Sequence, residues 1–369
     1  MSKRDLIERV QGASDAVLAQ AKASSSGIWQ AVKEGDITKI QSLLASDPGC
    51  LKSRGVVNEL PLHILFLHNT PKHQRVAKWI LLQPEYKRLI NEPYGEGLYE
   101  GETCLHIAIV NKDLDMVTFL VENGADYSNK ARAIGTFFGP DRLYYGETVA
   151  HFAACVGYID VLEYLLKKGA DALCQDRYGN TALHLLVYHS KPRTYDFILA
   201  HYRKSAPTVA LAERVYLIRN GDGLTPLTMA AQIGNKAMFK HLLQKHKKVE
   251  WTYGPVTCCH YALEDIDTAS GATGTALELI VSNNHLDLVT LPFVERLLRS
   301  KWENFARRHF LAQFFMTLLY LIVFSIAVFL RRPFDGDGVS ETDVVRYVCE
   351  GVSLVVAVAV AVRELYLFF

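Results

Sequence analysis

The sequence predicts an all-α protein: a solenoid of helical repeats, a linker containing a short β segment, and two transmembrane helices. Two observations support this prediction. A pattern of Thr, His, Ala and Gly recurs along the N-terminal part of the chain, and the long uncharged apolar runs all lie after residue 309. Half of the 369 residues are hydrophobic and 21% are charged, which excludes a wholly disordered chain.

Charge and cysteine content narrow the classes of function. The chain has 40 Lys and Arg residues against 39 Asp and Glu, so no overall basic field indicates a nucleic-acid partner. The seven cysteines show no C-x-x-C spacing and are expected to be reduced thiols. The tail 1–27 lacks a signal-peptide core, and its second residue, Ser2, excludes myristoylation. We therefore expect residues 1–300 to lie in the cytosol.

Two copies of the repeat agree in residue type and in spacing. Thr103–Ala108 (TCLHIA) and Thr148–Ala153 (TVAHFA) are each followed, at the same offset, by a Gly-Ala-Asp segment beginning at Gly124 or Gly169. Partial copies begin at Leu60, Thr181 and Thr225, and a sixth, Ala31–Leu44, keeps only the helical half. Such self-similarity is typical of a solenoid, in which stacked neighbours bury the face that one repeat cannot bury alone.

These segments resemble ankyrin repeats, whose signature is T-P-L-H-x-A with a period of about 33 residues. We expect Thr to start a short helix, His to tie one loop to the next, and Gly to cap the second helix in the left-handed conformation. The histidines at positions 63, 106, 151 and 184 share one repeat position, so they should be stacked along the solenoid and should not converge on a metal ion. No catalytic or phosphate-binding motif is present. We therefore predict no enzyme activity, no metal and no cofactor.

One insertion between repeats is rich in aromatic residues. Ala131–Tyr145 contains Phe137, Phe138, Tyr144 and Tyr145, more aromatic surface than a solvent-exposed loop requires. Local packing onto a neighbouring loop and contact with a partner chain are both consistent with this composition.

The segment after the repeats changes in character. Val249–Thr257 is aromatic and β-branched and is broken by Gly254-Pro255, which predicts a short strand pair or an extended linker. Thr275–Leu298 returns to a helix-pair rhythm without the ankyrin signature. We expect this region to be a helical cap that closes the stack.

Two apolar runs follow. Phe310–Leu330 carries no charge, and at about 1.5 Å per residue it covers about 30 Å, the thickness of a bilayer's hydrocarbon core. The second run, Tyr347–Phe369, is interrupted by Glu350 and by Arg363-Glu364. These charged side chains are expected to face other helices or water and not lipid.

Basic residues before the first span predict the orientation. Five Lys and Arg residues lie between Arg296 and His309, whereas the segment between the spans has three Arg against four acidic residues. The positive-inside rule therefore places the N-terminal flank in the cytoplasm. Within it, Lys301, Arg307 and Arg308 are candidate contacts for phosphoinositide headgroups, with ordinary flanking charge as the alternative.

The predicted organisation has seven parts. They are an N-terminal tail (1–27), six ankyrin repeats (28–248), a linker and helical cap (249–300), a basic pre-membrane segment (301–309), a first transmembrane helix (310–330), an extracellular loop (331–346) and a second transmembrane helix (347–369).

The chain resembles the vanilloid class of transient receptor potential cation channels over about residues 25 to 369. The matching segments are Gly101–Ala108, Val117–Asp126, Tyr144–Glu147, Trp251–Val256 and Lys301–Phe305. Trp251–Val256 and Lys301–Phe305 are the most specific of these segments, because ankyrin proteins in general are not expected to contain them just before a transmembrane span.

The resemblance implies a tetrameric, calcium-permeable cation channel subunit of the plasma membrane, multi-pass and with a cytoplasmic N-terminus. Its ankyrin domain would serve assembly and regulation. Other channel subunits and anionic membrane lipid are the implied partners, with calmodulin as a further candidate. In the family, long finger loops pack on a neighbouring subunit, which favours partner contact for Phe137 and Phe138.

The sequence departs from the family pattern in two ways. Family members carry six membrane helices and a pore loop, whereas these residues contain two spans and no selectivity filter, so we expect no pore and no ion conduction from this chain alone. An ankyrin scaffold anchored by two membrane helices, without transport activity, is the alternative. Some members also bind ATP through two lysines, but alignment on Leu60–His63 puts Glu59 and Ile64 there, so nucleotide binding should be weak or absent. Tyr99 and Glu102 lie near the position of the family's base contact.

Overall fold

A computed structural model describes residues 27–97, 99–128, 132–133, 146–205, 215–263, 265–267, 274–330 and 341–368. The chain separates into two compact units, residues 1–288 and 289–369. The first is a stack of antiparallel helix pairs followed by a β-hairpin, and the second contains two long apolar helices. The predicted fold class is confirmed.

Within the described residues, six helix pairs form the stack, one for each predicted repeat. They are α1 (Gly27–Glu34) with α2 (Ile37–Ser46), α3 (Pro61–His68) with α4 (Pro71–Leu82), α5 (Cys104–Val110) with α6 (Leu114–Glu122), α7 (Val149–Val156) with α8 (Ile159–Lys168), α9 (Ala182–Tyr188) with α10 (Pro192–Ser205), and α11 (Pro226–Ile233) with α12 (Lys236–Lys245). Short 3₁₀ turns occur at Cys50–Lys52, Lys87–Asn91 and Val215–Leu217.

The first helix of each pair lies in the core of the solenoid. It packs against its own second helix and against the first helices of the neighbouring pairs, from α1 through α11. In α5, every residue from Cys104 to Ile109 is buried. Removing these apolar side chains from water stabilises the stack by about 25 cal/mol per Å², and each repeat depends on its neighbours for that burial.

The ends of the helices follow the predicted roles of Thr and Gly. Thr103, Thr148 and Thr181 hold extended backbone conformations at the N-cap position, immediately before α5, α7 and α9. Gly124 and Gly169, after α6 and α8, have φ angles of 98° and 100°. Side chains with a Cβ rarely adopt this left-handed region, so glycine is favoured at both helix ends.

A β-hairpin follows the sixth pair, in agreement with the predicted strand pair. Strand β3 (Lys247–Tyr253) pairs antiparallel with β4 (Val256–Tyr261) around Gly254-Pro255. A shorter ladder joins β1 (Arg132–Ala133) to β2 (Glu147–Thr148) at one end of the aromatic insertion. Phe137, Phe138, Tyr144 and Tyr145 lie outside the described residues.

Helix α13 (Ala276–Ser282) packs on α11 beyond the last ankyrin pair. His285 Nε2 lies 2.9 Å from the carbonyl oxygen of Gln232 at the end of α11. A short helix, α14 (Leu286–Val289), follows. Helix α13 therefore packs on the last ankyrin pair, whereas Pro292–Leu298, which the sequence predicts to be part of the same cap, belongs to the second unit.

The second unit contains one long helical segment and a second helix that packs against it. The segment consists of α15 (Pro292–Lys301), a π turn (Trp302–Ala306) and α16 (Arg307–Phe329). Helix α17 (Glu341–Phe368) packs on α16 and starts six residues before Tyr347, the first residue of the predicted second span. Both helices are long and apolar enough to cross a membrane.

Candidate functional site

Repeat histidines connect consecutive loops of the solenoid. His63, His151 and His184 each accept a hydrogen bond at Nδ1 from the backbone N–H three residues earlier, at 3.1–3.2 Å. An acceptor at Nδ1 requires the proton to be on Nε2. Nε2 then donates to a carbonyl oxygen of the following loop, at 3.0–3.1 Å. The predicted role of histidine as a tie between loops is confirmed at these three positions.

Burial keeps the rings of His63, His106 and His184 neutral. Desolvation lowers the pKa of His63 and His106 to about 3 and that of His184 to about 4. In His63, His151 and His184 both ring nitrogens are already hydrogen-bonded, so neither is available to a metal ion. His106 Nε2 is buried without a hydrogen-bond partner among the described residues. The described residues contain no group of three or more His, Cys, Asp or Glu that could hold a metal ion.

The positions aligned with the family's ATP-binding lysines are inside the protein. Glu59 and Ile64 are each only 1% exposed. The Glu59 carboxylate accepts a 2.8 Å hydrogen bond from the backbone N–H of Val57, so it is committed to a local turn. Tyr99 and Glu102 lie near the position that corresponds to the family's base contact. Burial raises the pKa of Glu102 to about 8 and that of Tyr99 to about 12. No basic side chain occupies either aligned position, and a phosphate clamp is absent there.

This geometry leads to a prediction about nucleotide binding. We expect calorimetry on residues 1–260 with ATP to show no saturable heat at millimolar nucleotide, because both charge-assisted contacts are lost. Surface lysines elsewhere give only weak, salt-sensitive attraction. Micromolar binding would contradict the prediction, and competition with inorganic triphosphate would then identify the phosphates as the recognised group.

The basic pre-membrane residues lie on the continuous segment that leads into α16. Lys301 ends α15, and Arg307 and Arg308 begin α16 after the π turn. Arg307 and Arg308 are exposed, whereas Lys301 is partly buried. At a helical rise of about 1.5 Å per residue, Arg308 lies about 3 Å along the axis before Phe310, the first residue of the predicted span. The structure therefore places the two arginines next to the apolar segment, and Lys301 lies apart from them by the length of the π turn.

Aromatic rings accompany these charges. Trp302 and Phe310 are packed with ring centroids 5.6 Å apart, and Phe305 and His309 are 4.7 Å apart. Trp302 and Phe305 are both exposed. Aromatic and basic side chains together are typical of the level of lipid headgroups. The nearby Glu295 carboxylate is paired with Arg299 at 2.9 Å.

Sequence reasoning missed two groups of polar residues. Glu147 lies immediately before a repeat threonine, is 2% exposed, and has a carboxylate oxygen without a hydrogen-bond partner in the described part of the chain. Its position before Thr148 was a visible signal, because Glu102 precedes Thr103 in the same way. Glu350 and Ser353 line part of a cavity between α16 and α17. In the sequence, the only indication of it was the charge of Glu350 within an apolar run.

Known proteins place the chain in a family. Residues 28–131 match ankyrin repeats (3 copies), residues 140–186 match ankyrin repeats (many copies), and residues 222–251 match a single ankyrin repeat. The chain is 35% identical over 341 residues to human transient receptor potential cation channel subfamily V member 6, covering 89% of this chain and 43% of that protein. It is 31% identical over 380 residues to the human subfamily V member 5 protein, covering 95% and 50%.

The dog subfamily V member 1 protein is 36% identical over 282 residues, covering 68% of this chain and 32% of that protein. The chain thus spans half or less of the length of these three relatives. The similarity nevertheless covers more than two thirds of this chain in all three comparisons. The chain therefore belongs to the vanilloid family of transient receptor potential channels, and it corresponds to their N-terminal, ankyrin-repeat-containing region.

Proposed function

We propose that the chain forms part of a calcium-permeable cation channel subunit in which the ankyrin stack serves assembly and regulation. The observation that carries this proposal is the extent of the similarity. The match to the human subfamily V member 5 protein covers 95% of the chain, so it includes the ankyrin stack and the membrane helices together. A generic ankyrin scaffold would share the stack alone.

We also propose a tetrameric subunit at the plasma membrane, with the ankyrin stack in the cytoplasm. The excess of Lys and Arg before α16 supports this orientation. Helix α15 carries Arg296, Arg299 and Lys301 beside apolar residues, a composition that calmodulin-target helices share. Calmodulin is therefore a proposed partner at α15.

Co-expression with a relative tests the proposed channel role. We expect the 369-residue chain to co-purify with the human subfamily V member 6 protein and to reduce its calcium uptake several-fold, because one subunit of a mixed tetramer would then match only 43% of that protein's length. Residues 1–288 alone serve as the control for the contribution of the membrane helices. The anchored-scaffold alternative is favoured if the chain reaches the plasma membrane but neither co-purifies with the relative nor changes its calcium uptake.

Lys301, Arg307 and Arg308 are proposed to contact anionic headgroups of the cytoplasmic leaflet. We expect a peptide spanning residues 296–308 to bind anionic vesicles, and replacement of these three residues by Gln to weaken that binding by about 100-fold. This factor follows from a binding free energy of about 1 kcal/mol per basic residue at an anionic surface, summed over the three residues. Vesicle sedimentation at increasing salt concentration measures both the affinity and its electrostatic part.

The matched control replaces Arg296 and Arg299 in the same peptide. Because this double variant removes two basic residues and the triple variant removes three, we expect the double variant to lose less affinity than the triple variant. Vesicles containing phosphatidylserine or a phosphoinositide at equal total charge distinguish general attraction from headgroup recognition. Equal binding to neutral phosphatidylcholine vesicles would refute the electrostatic contact.

A further inference from the structure

Two Thr-Pro dipeptides occur in the chain, and both precede helices of the ankyrin stack. Among the 12 prolines, only Pro71 and Pro226 follow a threonine, and none follows a serine. Thr70 has φ −86° and ψ 161° before α4, and Thr225 has φ −83° and ψ 165° before α11. A residue before proline favours this extended conformation, in which protein kinases bind the residue that they phosphorylate. Accessibility therefore distinguishes the two threonines as kinase substrates.

Thr225 is inaccessible to such an enzyme. Its side chain is 1% exposed, and its hydroxyl oxygen accepts a 3.4 Å hydrogen bond from the backbone N–H of Thr228. The residues on either side, Leu224 and Pro226, are buried as well. A kinase could reach this hydroxyl only after the sixth helix pair had opened.

Thr70 lies on the surface, in the turn between α3 and α4. Thr70, Pro71 and Lys72 are all exposed. Asn69, the residue before them, has a left-handed backbone conformation with φ 45°, which turns the chain between the two helices. The Thr70 side chain makes no cap hydrogen bond to the backbone of α4. It is therefore accessible while both helices remain folded.

A buried histidine lies beside the Thr70 hydroxyl. His73 is 6% exposed, and its Nδ1 is 2.6 Å from Thr70 Oγ1. Its Nε2 is 3.0 Å from the carbonyl oxygen of Lys33, near the end of α1. Because a carbonyl oxygen can only accept, Nε2 carries the proton and Nδ1 accepts from the Thr70 hydroxyl. His73 therefore ties the second helix pair to the first, and Thr70 fixes its tautomer.

The charges around this turn favour an anion. The first turn of α4 contains no acidic residue, whereas Lys72 and Arg75 are exposed there. A carboxylate does lie nearby, since Asp113 accepts a 2.6 Å hydrogen bond from the side chain of Gln74. Two basic side chains thus accompany one acidic side chain. A phosphate group, with about −1.5 to −2 charges at pH 7, is stabilised by such surroundings when donors are within reach.

We propose that Thr70 is a phosphorylation site for proline-directed protein kinases and that His73 holds the phosphate. In the transfer, Thr70 Oγ1 attacks the γ-phosphorus of ATP, the bond to the β,γ-bridging oxygen breaks, and ADP leaves. The hydroxyl proton passes to the catalytic base of the kinase.

Phosphorylation changes the role of the His73 ring. The Thr70 oxygen no longer donates to Nδ1, and a second proton taken up from solvent lets Nδ1 donate to the phosphate. Nε2 keeps its hydrogen bond to the Lys33 carbonyl oxygen. The tie between the first two helix pairs then becomes charge-assisted and stronger. This inference does not rest on the proposed channel role.

Phosphorylation of the full chain tests the site. The 369-residue chain in nanodiscs of neutral phosphatidylcholine is incubated with ATP and with a cyclin-dependent or a mitogen-activated protein kinase, and tandem mass spectrometry locates the phosphate. Synthetic peptides 65–77 and 220–232 measure the intrinsic preference of each kinase. Relative to the peptides, we expect Thr70 in the folded chain to be phosphorylated at least about tenfold faster than Thr225. Thr70→Val should remove this product.

Hydrogen exchange tests the contact with His73. Phosphorylation should slow the exchange of the backbone amides of α1 several-fold, because the tie to Lys33 is strengthened. His73→Gln should still be phosphorylated at Thr70 but should show no such slowing. Lys72→Gln, which changes an exposed neighbour, is the matched control and should retain most of the slowing. Circular dichroism checks that each variant is folded.

Two results would overturn the proposal. If neither kinase favours Thr70 over Thr225 in the folded chain relative to the peptides, Thr70 is not presented as a substrate. If phosphorylation leaves the exchange of α1 unchanged, or slows it equally in the wild type and in His73→Gln, the phosphate is not held by His73. Neither result bears on co-purification with the subfamily V member 6 protein, so failure of this proposal is distinguishable from failure of the proposed channel role.

Discussion

Replacing His184 with alanine is expected to lower the free energy of unfolding of the ankyrin stack by about 3 kcal/mol. The side chain is completely buried and serves both loops that it connects. Nδ1 accepts from the backbone N–H of Thr181 at 3.2 Å, and Nε2 lies 3.0 Å from the carbonyl oxygen of Leu224. The substitution leaves both backbone groups unsatisfied and opens a cavity. Urea unfolding of residues 27–288 followed by circular dichroism measures the change.

His260→Ala is the matched control. His260 is exposed on strand β4 and is paired with Glu250 at 3.1 Å, so its replacement should change stability by less than about 0.5 kcal/mol. Equal effects of the two substitutions would contradict the structural role of His184. The stability of a solenoid is a sum over neighbouring repeats. In the His184→Ala variant, hydrogen exchange should therefore show reduced protection of the backbone amides around α9 and α11.

The same histidine contributes a predictable pH dependence. Burial lowers the pKa of His184 from 6.5 to about 4, so below pH 6.5 the unfolded chain binds a proton that the folded chain does not. The stability associated with this group is therefore complete above pH 6.5 and decreases as the pH falls towards 4. His184→Ala should flatten the unfolding free energy in this pH window relative to the wild type.

Glu147→Gln is expected to stabilise the ankyrin stack by about 2 kcal/mol at pH 8. Burial raises the pKa of Glu147 well above 4.5, with further contributions from the carboxylates of Asp176 and Glu102. The unfolded chain loses this proton near pH 4.5, whereas the folded chain retains it to higher pH. The stability from this group is thus complete below pH 4.5 and is lost as the pH rises through the folded pKa. The amide of Gln has a similar shape and does not ionise, so the variant should not lose stability in this way as the pH rises.

Unfolding curves between pH 5 and pH 9 test this expectation. The wild type should lose stability more steeply with rising pH than the Glu147→Gln variant, and the two should converge at low pH. Glu163→Gln is the control, because Glu163 is exposed and pairs with Lys167 at 2.6 Å on the surface of α8. Destabilisation by Glu147→Gln at pH 8 would show that an ionised carboxylate is required at this position.

Local sequence patterns were sufficient for the repeat architecture and the spans. The pattern of Thr, His and Gly at fixed offsets predicted helix starts at Thr103 and Thr148 and left-handed caps at Gly124 and Gly169, because capping depends on residues a few positions apart. The uncharged apolar run that ends at Leu330 predicted α16, because run length is also a property of neighbouring residues. The start of α17 at Glu341 was not predicted, because Glu341 and Asp343 outweigh Val344 and Val345 in a composition-based boundary.

The sequence by itself determined that this chain is an ankyrin solenoid followed by two apolar helices, since periodicity and run length are properties of neighbouring residues. Only the tertiary structure decided which polar groups are satisfied. The tie from His184 to Leu224 spans 40 residues, and the burial of Glu59 and Glu147 depends on the repeats stacked around them. The space beside Glu350 is lined by residues from both α16 and α17, among them Phe324 and Leu354. Contacts between residues distant in sequence fix burial, protonation and cavity shape, and no local pattern encodes them.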